Sequence, residues 1–283
     1  MYSKVHVALD GSEHSKGSAR FGLELAVEMG AKLTAVHVRT EDRLARRMAR
    51  LQENLSGVEA SCVDATDPVK VRTGWLADEA DDAGVSFGSE RIEGTPHQAL
   101  LGYMAPAEED LLVLGAWGQS GRGGATLGSV TERFLRKCQT DTLIIKKPET
   151  FMVGEGAYLG DEGAILVCID GSPRSYAGLN AAIDLAVKFN RRVEAVGVYD
   201  PYLHYTLFNG IVGVLSEKAA KVFKFADQEK LHEEIIDTGL AKIYQAHLDV
   251  ARKVAESRGA QIRTVLLDGK AYEKIIQYIR KTN

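Results

Sequence analysis

Two stretches of this chain are copies of each other. Val5–Val38 (VHVALDGSEHSKGSARFGLELAVEMGAKLTAVHV) aligns without a gap with Ile165–Val198 (ILVCIDGSPRSYAGLNAAIDLAVKFNRRVEAVGV). Val7/Val167, Asp10/Asp170, Gly11/Gly171, Ser12/Ser172, Ser15/Ser175, Leu25/Leu185 and Ala26/Ala186 are among the identities. Each copy reads as an apolar strand, an Asp-Gly-Ser turn, a helix and a second apolar strand, which is a βαβ unit. A further pair follows: Gly84–Met104 matches Gly259–Ile279, with Gly94 and Gly269 at the same turn. Repetition on this scale means two copies of one domain. Continuous apolar strands alternating with helices predict a parallel sheet covered on both faces. The right-handed crossover rule then makes each copy an open, doubly wound α/β sheet. Ligands of such sheets bind at the carboxyl ends of the strands, where the strand order reverses.

The copies differ in one respect. The first continues with strand Leu111–Leu114, a glycine-rich loop, helix Val130–Lys137 and strand Thr142–Lys146. The second, read as far as Asn283, has no counterpart of these elements. Either the chain is cut short, or its second half serves something other than binding the same ligand. The expected organisation is a first domain at 1–148, a linker at 149–163, and a partial second domain at 164–283 with a helical insertion at 199–240.

The loop is Gly115-Ala-Trp-Gly118-Gln-Ser-Gly121-Arg122-Gly123-Gly124-Ala-Thr-Leu-Gly128-Ser129-Val130-Thr131. Glycines at a strand-to-helix junction let backbone N–H groups converge on a phosphate chain, aided by the positive end of the helix. Asp10-Gly11-Ser12 closes the first strand, and Gly115 closes the fourth. If those strands are neighbours across the reversal of strand order, both loops face one crevice. The other reading of Asp10-Gly11-Ser12 is a plain turn with a helix cap.

With Gly115, Gly118, Gly128 and Ser129 the chain carries Gly-x2-Gly-x9-Gly-Ser, followed by Val-Thr-Glu-Arg-Phe-Leu and preceded by the opening Val-Ala-Leu-Asp-Gly-Ser. These features resemble the universal stress protein family, in its tandem form. The resemblance covers the whole first copy and about three quarters of a domain in the second. It implies a Rossmann-like fold, of the adenine nucleotide alpha hydrolase kind, that binds ATP. It places Ala8, Leu9 and Asp10 at the end of strand one, with the Asp10 carboxylate toward ribose or base. It places the Val38 backbone at adenine, and Gly115 and Gly118 over the phosphates. Gly128, Ser129, Val130 and Thr131 would then supply N–H and hydroxyl donors, with Arg122 either over the phosphates or a solvated loop residue. A magnesium ion on the phosphates is compatible with this, although no ligand set marks one.

Other nucleotide folds fit less well. There is no GxxxxGK[ST] segment and so no P-loop lysine, no serine-glycine-rich pyrophosphatase loop, and no His-x-Gly-His pair for adenylyl transfer. Hydrolysis requires a positioned water and a base. The loop holds no carboxylate, and Glu132 reads as an ion-pair partner of Arg133 or Arg136. The expected function is therefore an ATP-binding, stress-response regulator acting on a protein partner the sequence does not name. The alternatives are a slow ATPase or autophosphorylating phosphotransferase, and a scaffold with a structural nucleotide.

A formal net charge of −4 gives no global attraction to nucleic acid or anionic membranes. Three scattered cysteines, Cys62, Cys138 and Cys168, form no metal pattern and fit a reducing compartment. No apolar run reaches the roughly 20 residues of a membrane span, so the expected location is cytoplasmic. Arg43, Arg46, Arg47 and Arg50 would line one helix face, and Leu44, Met48, Leu51 and Leu55 another. That basic face reads as solvated, balanced by Glu41, Asp42 and Glu53, rather than as a partner surface. The segment Pro201–Leu215 is rich in aromatic and apolar residues, and helical patterns follow to Lys230 and over Thr238–Ser257. They read as a helical cover over the sheet, or as a docking surface. His97, His204, His232 and His247 are isolated. Strand Thr142–Lys146 is the expected edge through which two copies form a homodimer.

Overall fold

The computed structural model describes residues 2–40, 68–104, 109–118, 126–147, 163–201 and 238–282. The arginine-rich face at 43–50, Cys62, Arg122, most of the linker, and the insertion with His204 and His232 lie outside the described residues. The chain divides into two compact units, Met1–Tyr158 and Leu159–Asn283.

The first unit contains β1 (Lys4–Ala8), α1 (Glu13–Met29), β2 (Lys32–Arg39), α2 (Pro68–Asp82), β3 (Phe87–Glu93), α3 (Pro96–Tyr103), β4 (Asp110–Gly115), α4 (Ser129–Leu135) and β5 (Asp141–Ile145). Its five strands are all parallel, in the order β3-β2-β1-β4-β5. Helices α1 and α2 pack together on one face, and α3 and α4 on the other. Alternation along the strands serves both faces, so the central strands are apolar throughout. Val5 and Val7 face α1, where Gly22 comes so close to the Val7 side chain that a Cβ there would overlap it. On the other face Val36, Leu100, Met104, Leu112, Leu114 and Phe134 form one buried cluster.

Local rules explain the helix ends. Ser12 caps α1 by accepting from the Ser15 N–H at 3.2 Å, and Gly30 ends it in the left-handed conformation at φ 63°. Helix α4 is shorter than the sequence pattern to Lys137 suggests. The Lys137 N–H bonds to the Phe134 carbonyl, a tighter i→i+3 turn that closes the helix. Strand β5 begins and ends one residue earlier than expected, because its pairing with β4 runs from Leu111↔Asp141 to Gly115↔Ile145.

One buried polar cluster lies near the amino ends of these strands. His6 is 6% exposed. Its Nδ1 is 3.3 Å from the Tyr103 hydroxyl, and its Nε2 is 3.3 Å from Asp110 Oδ2 without a well-directed hydrogen bond. Burial pushes the imidazole pKa below 6.5, against a smaller upward pull from Asp110. Lys4 and Lys32 add to the lowering. The unfolded chain therefore binds this proton first as pH falls, so stability is full above pH 6.5 and decreases below it. The repeat carries Leu166 at this position. His6→Leu is expected to flatten the fall of the urea midpoint with acidity, and an unchanged slope would contradict the assignment.

The second unit contains β6 (Ala164–Cys168), α5 (Pro173–Lys188), β7 (Arg192–Tyr199), α6 (Thr238–Ser257), β8 (Ile262–Asp268) and α7 (Ala271–Thr282). Its three parallel strands have the order β6-β7-β8. Helix α6 covers β7 and β8 on the α5 side, burying Leu248, Ala251 and Ala255 in the core with Leu179, Ile183, Val193 and Ala195. On the opposite face Glu194 is buried, accepting from the Tyr278 hydroxyl at 2.6 Å and from Arg263 at 3.4 Å. These bonds satisfy a carboxylate that would otherwise be costly to bury.

Candidate functional site

The strand order reverses between β1 and β4. These strands pair directly, Lys4↔Asp110 through Val7↔Val113, and the connections leaving their carboxyl ends turn to opposite sides of the sheet. The Asp10 turn and the glycine loop therefore open into one crevice, the usual ligand position of such a sheet.

On the β1 side, Ala8 is half-buried and Leu9 is buried, with the Leu9 N–H on the Val36 carbonyl at 2.9 Å. Asp10 Oδ1 accepts from the Ser12 N–H at 2.9 Å, while Gly11 takes φ 84° to make the turn. The turn-and-cap reading is thus present, and it leaves Oδ2 pointing at the neighbouring loop. A Cβ on Gly118 would lie 2.5 Å from Asp10 Oδ2, so only glycine admits this approach. From the β2 side, His37 Nδ1 reaches the Leu9 carbonyl at 2.8 Å, next to half-buried Val38.

On the β4 side the loop is pinned at its neck. The Ala116 N–H extends the β5 ladder to the Ile145 carbonyl at 2.9 Å, and the Ala116 carbonyl accepts the Gly128 N–H at 2.7 Å. A Cβ on Gly128 would meet the Ala116 carbonyl and Trp117 Cα, each at 3.3 Å. The Thr131 side chain, 5% exposed, donates to the Gly115 carbonyl at 2.9 Å. Two of the expected phosphate donors, the Gly128 N–H and the Thr131 hydroxyl, therefore close the loop. A loop whose ends must meet needs bonds across its neck, and these two groups lie there. Ser129 and Val130 remain exposed at the start of α4, where the first-turn N–H groups have no intrahelical acceptor.

Two aromatic groups flank the crevice that spacing alone did not mark. The His14 ring, in the first turn of α1, lies 5.3 Å from the Trp117 ring, and its buried Nδ1 has no hydrogen-bond partner among the described residues. A histidine beside the Asp-Gly-Ser turn was the available signal. Glu132 pairs with Arg136 at 2.7 Å, both exposed, which accounts for it without a role at the crevice. Among the described residues no group of three or more His, Cys, Asp or Glu is placed to hold a metal ion.

In the second unit, Asp170, Ser172 and Ser175 repeat the turn and cap. Hydrogen bonds from Ser172 hold the Asp170 carboxyl below the usual carboxylate range. Here the His247 ring of α6 packs directly onto Gly171. Among the described residues the turn thus faces a helix.

The family model described as universal stress protein matches residues 1–146 and 163–283. The chain belongs to the universal stress protein family. This is a stress-response family, and the two matched segments make the chain a tandem universal stress protein. Universal stress protein MJ0531 of Methanocaldococcus jannaschii is 26% identical over 151 residues, spanning 53% of this chain and 85% of the relative. Universal stress protein MJ0577 of the same organism is 21% identical over 156 residues, spanning 52% and 96% respectively. The crystal structure of a universal stress protein from Archaeoglobus fulgidus covers 99% of this chain and 84% of its own, with a TM-score of 0.62 at 15% identity, a likeness of fold. No helix among the described residues of this universal stress protein is long and apolar enough to cross a membrane.

Proposed function

We propose that the first unit binds an adenine nucleotide, ATP, in the crevice between the β1 and β4 loops, and that the bound state regulates a protein partner. The observation that carries this reading is the contact between Gly118 and Asp10. Two loops far apart in sequence are built to meet without side-chain bulk, which leaves room for phosphates against backbone. Asp10 would accept from the ribose hydroxyls. The Ala8–Asp10 and Val38 backbones would border the base. Ser129 and Val130 would supply N–H groups to the phosphates, with Gly115, Gly128 and Thr131 holding the loop that presents them. Arg122 belongs to the same loop sequence and is assigned to the phosphates.

Purified protein, denatured and analysed by chromatography, is expected to release ATP in near one-to-one amount. If neither released nor added nucleotide is bound, the reading fails. Among the described residues no strand pairs with the outer edge of β5, which supports a homodimer of the first unit, since an unpaired apolar edge seeks a partner strand. Light scattering at micromolar concentration is expected to give twice the chain mass, and a monomer mass would refute this assembly.

A further inference from the structure

The two sides of the crevice meet at a second place besides Asp10 and Gly118. His14 follows the Asp10 turn, in the first turn of α1, and Trp117 stands next to Gly118 in the loop that leaves β4. Their ring centroids are 5.3 Å apart, with the planes tilted by 54°. Gly115 makes room for this meeting. A Cβ there would lie 3.1 Å from the Trp117 carbonyl oxygen and 3.2 Å from both Cβ and the carbonyl carbon of His14.

His14 as a whole is half-buried. Its Nδ1 is sheltered from water and has no hydrogen-bond partner among the described residues. Buried ring nitrogens are nearly always bonded, because an unbonded one gives up its hydration for nothing. The polar groups of its own helix are committed elsewhere. Ser15 Oγ donates to the Ser12 carbonyl at 2.8 Å, and Ser18 Oγ donates to the His14 carbonyl at 2.7 Å. Glu13 pairs with Lys16 at 2.8 Å. Across the crevice, the Thr131 hydroxyl is held by the Gly115 carbonyl. Packing on Trp117 asks only for an aromatic ring, which phenylalanine would supply without an unbonded nitrogen.

We propose that His14 is a further nucleotide-binding residue, whose Nδ1 donates to a phosphate oxygen of the ligand in the crevice. This rests on the nucleotide reading given above. Phosphate is the fitting acceptor on two grounds. Trp117 belongs to the glycine loop, which is the part of the crevice assigned to the phosphates. An anionic oxygen also makes a stronger bond to N–H than a neutral acceptor does. Because Nδ1 is sheltered, a phosphate reaches it as the Trp117 ring slides off His14. Trp117 is joined directly to Gly118, so a loop that settles on the phosphates carries the indole with it. Nucleotide binding is thereby coupled to a change in the surroundings of Trp117.

The test uses the full chain carrying Trp75→Phe, which leaves Trp117 as its one indole and keeps a ring beneath the Arg20 guanidinium. ATP is expected to shift the Trp117 emission, and adenosine, which has the base and ribose without phosphate, is expected to leave it unchanged. In that background His14→Phe keeps a ring on Trp117 and is expected to weaken ATP binding about tenfold, with adenosine binding altered less than about twofold. His14→Asn places an amide N–H near the position of Nδ1 and is expected to bind ATP within about threefold of the parent. If the parent binds ATP and His14→Phe binds it equally well, this inference is overturned and the nucleotide reading stands. Equal losses for ATP and adenosine would make the ring a support of the loop and overturn the phosphate contact. An Asn variant as weak as the Phe variant overturns the hydrogen bond. A parent that binds neither ligand overturns both the inference and the reading beneath it.

Discussion

Replacing Gly118 with valine is expected to remove bound nucleotide from the purified protein and to raise the dissociation constant for ATP roughly 100-fold, about 2.8 kcal/mol. The new Cβ would stand 2.5 Å from Asp10 Oδ2, well inside contact distance. Asp10 cannot yield freely, because Oδ1 accepts the Ser12 N–H that shapes the turn. The loop must move away from the β1 end or the turn must open, and either change separates the two halves of the crevice. Adding Gly128→Val presses a branched side chain on the Ala116 carbonyl and Trp117 Cα, backbone atoms with little freedom to shift. Gly74→Ala serves as the control, since a Cβ there meets nothing within 4 Å. Isothermal titration of the variants decides the matter. Wild-type affinity in the double variant would move the nucleotide site elsewhere.

Phe134→Ala is expected to lower the stability of the first unit by about 3–5 kcal/mol, the usual range for deleting a fully buried aromatic side chain. Phe134 has no exposed surface and joins α4 to α3 and to β4 through Leu100, Met104, Leu112 and Leu114. Those neighbours belong to strands and helices that cannot collapse far, so most of the cavity should remain. Because α4 begins at Ser129, the same change loosens the helix that presents the loop. Urea unfolding followed by fluorescence measures the loss. A decrease below about 1 kcal/mol would show that the neighbours repack and that the cluster is not the anchor of α4.

These two residues illustrate different kinds of legibility. Gly118 stands out in the sequence through its spacing to Gly115 and Gly128, and backbone approach is a property a glycine pattern can announce. Phe134 does not, because one aromatic residue in a short helix has no pattern that says what it meets. The turn at Asp10 was ambiguous in the sequence. The structure shows one carboxylate oxygen in the turn and the other toward Gly118. Thr131 and the Gly128 N–H looked like ligand groups from their place at the helix start, and they close the loop neck instead. Helix α6 over Thr238–Ser257 was legible from its apolar period. That His247 on it would pack on Gly171 was not.

The sequence by itself determined the repeat, the βαβ order, the parallel sheet and the positions of the two loops. Each of these follows from local pattern: apolar period, turn residues and glycine spacing act within a few residues of one another. Only the tertiary structure decided that β1 and β4 are neighbours and that Asp10 meets Gly118. Apolar strands of similar composition can pair in many orders. The choice is made by how whole faces pack, as when α1 seats on β1 and β4 together and Phe134 fills the space beneath α3. Such contacts join residues far apart in the sequence, and their energy exists only once the layers are assembled.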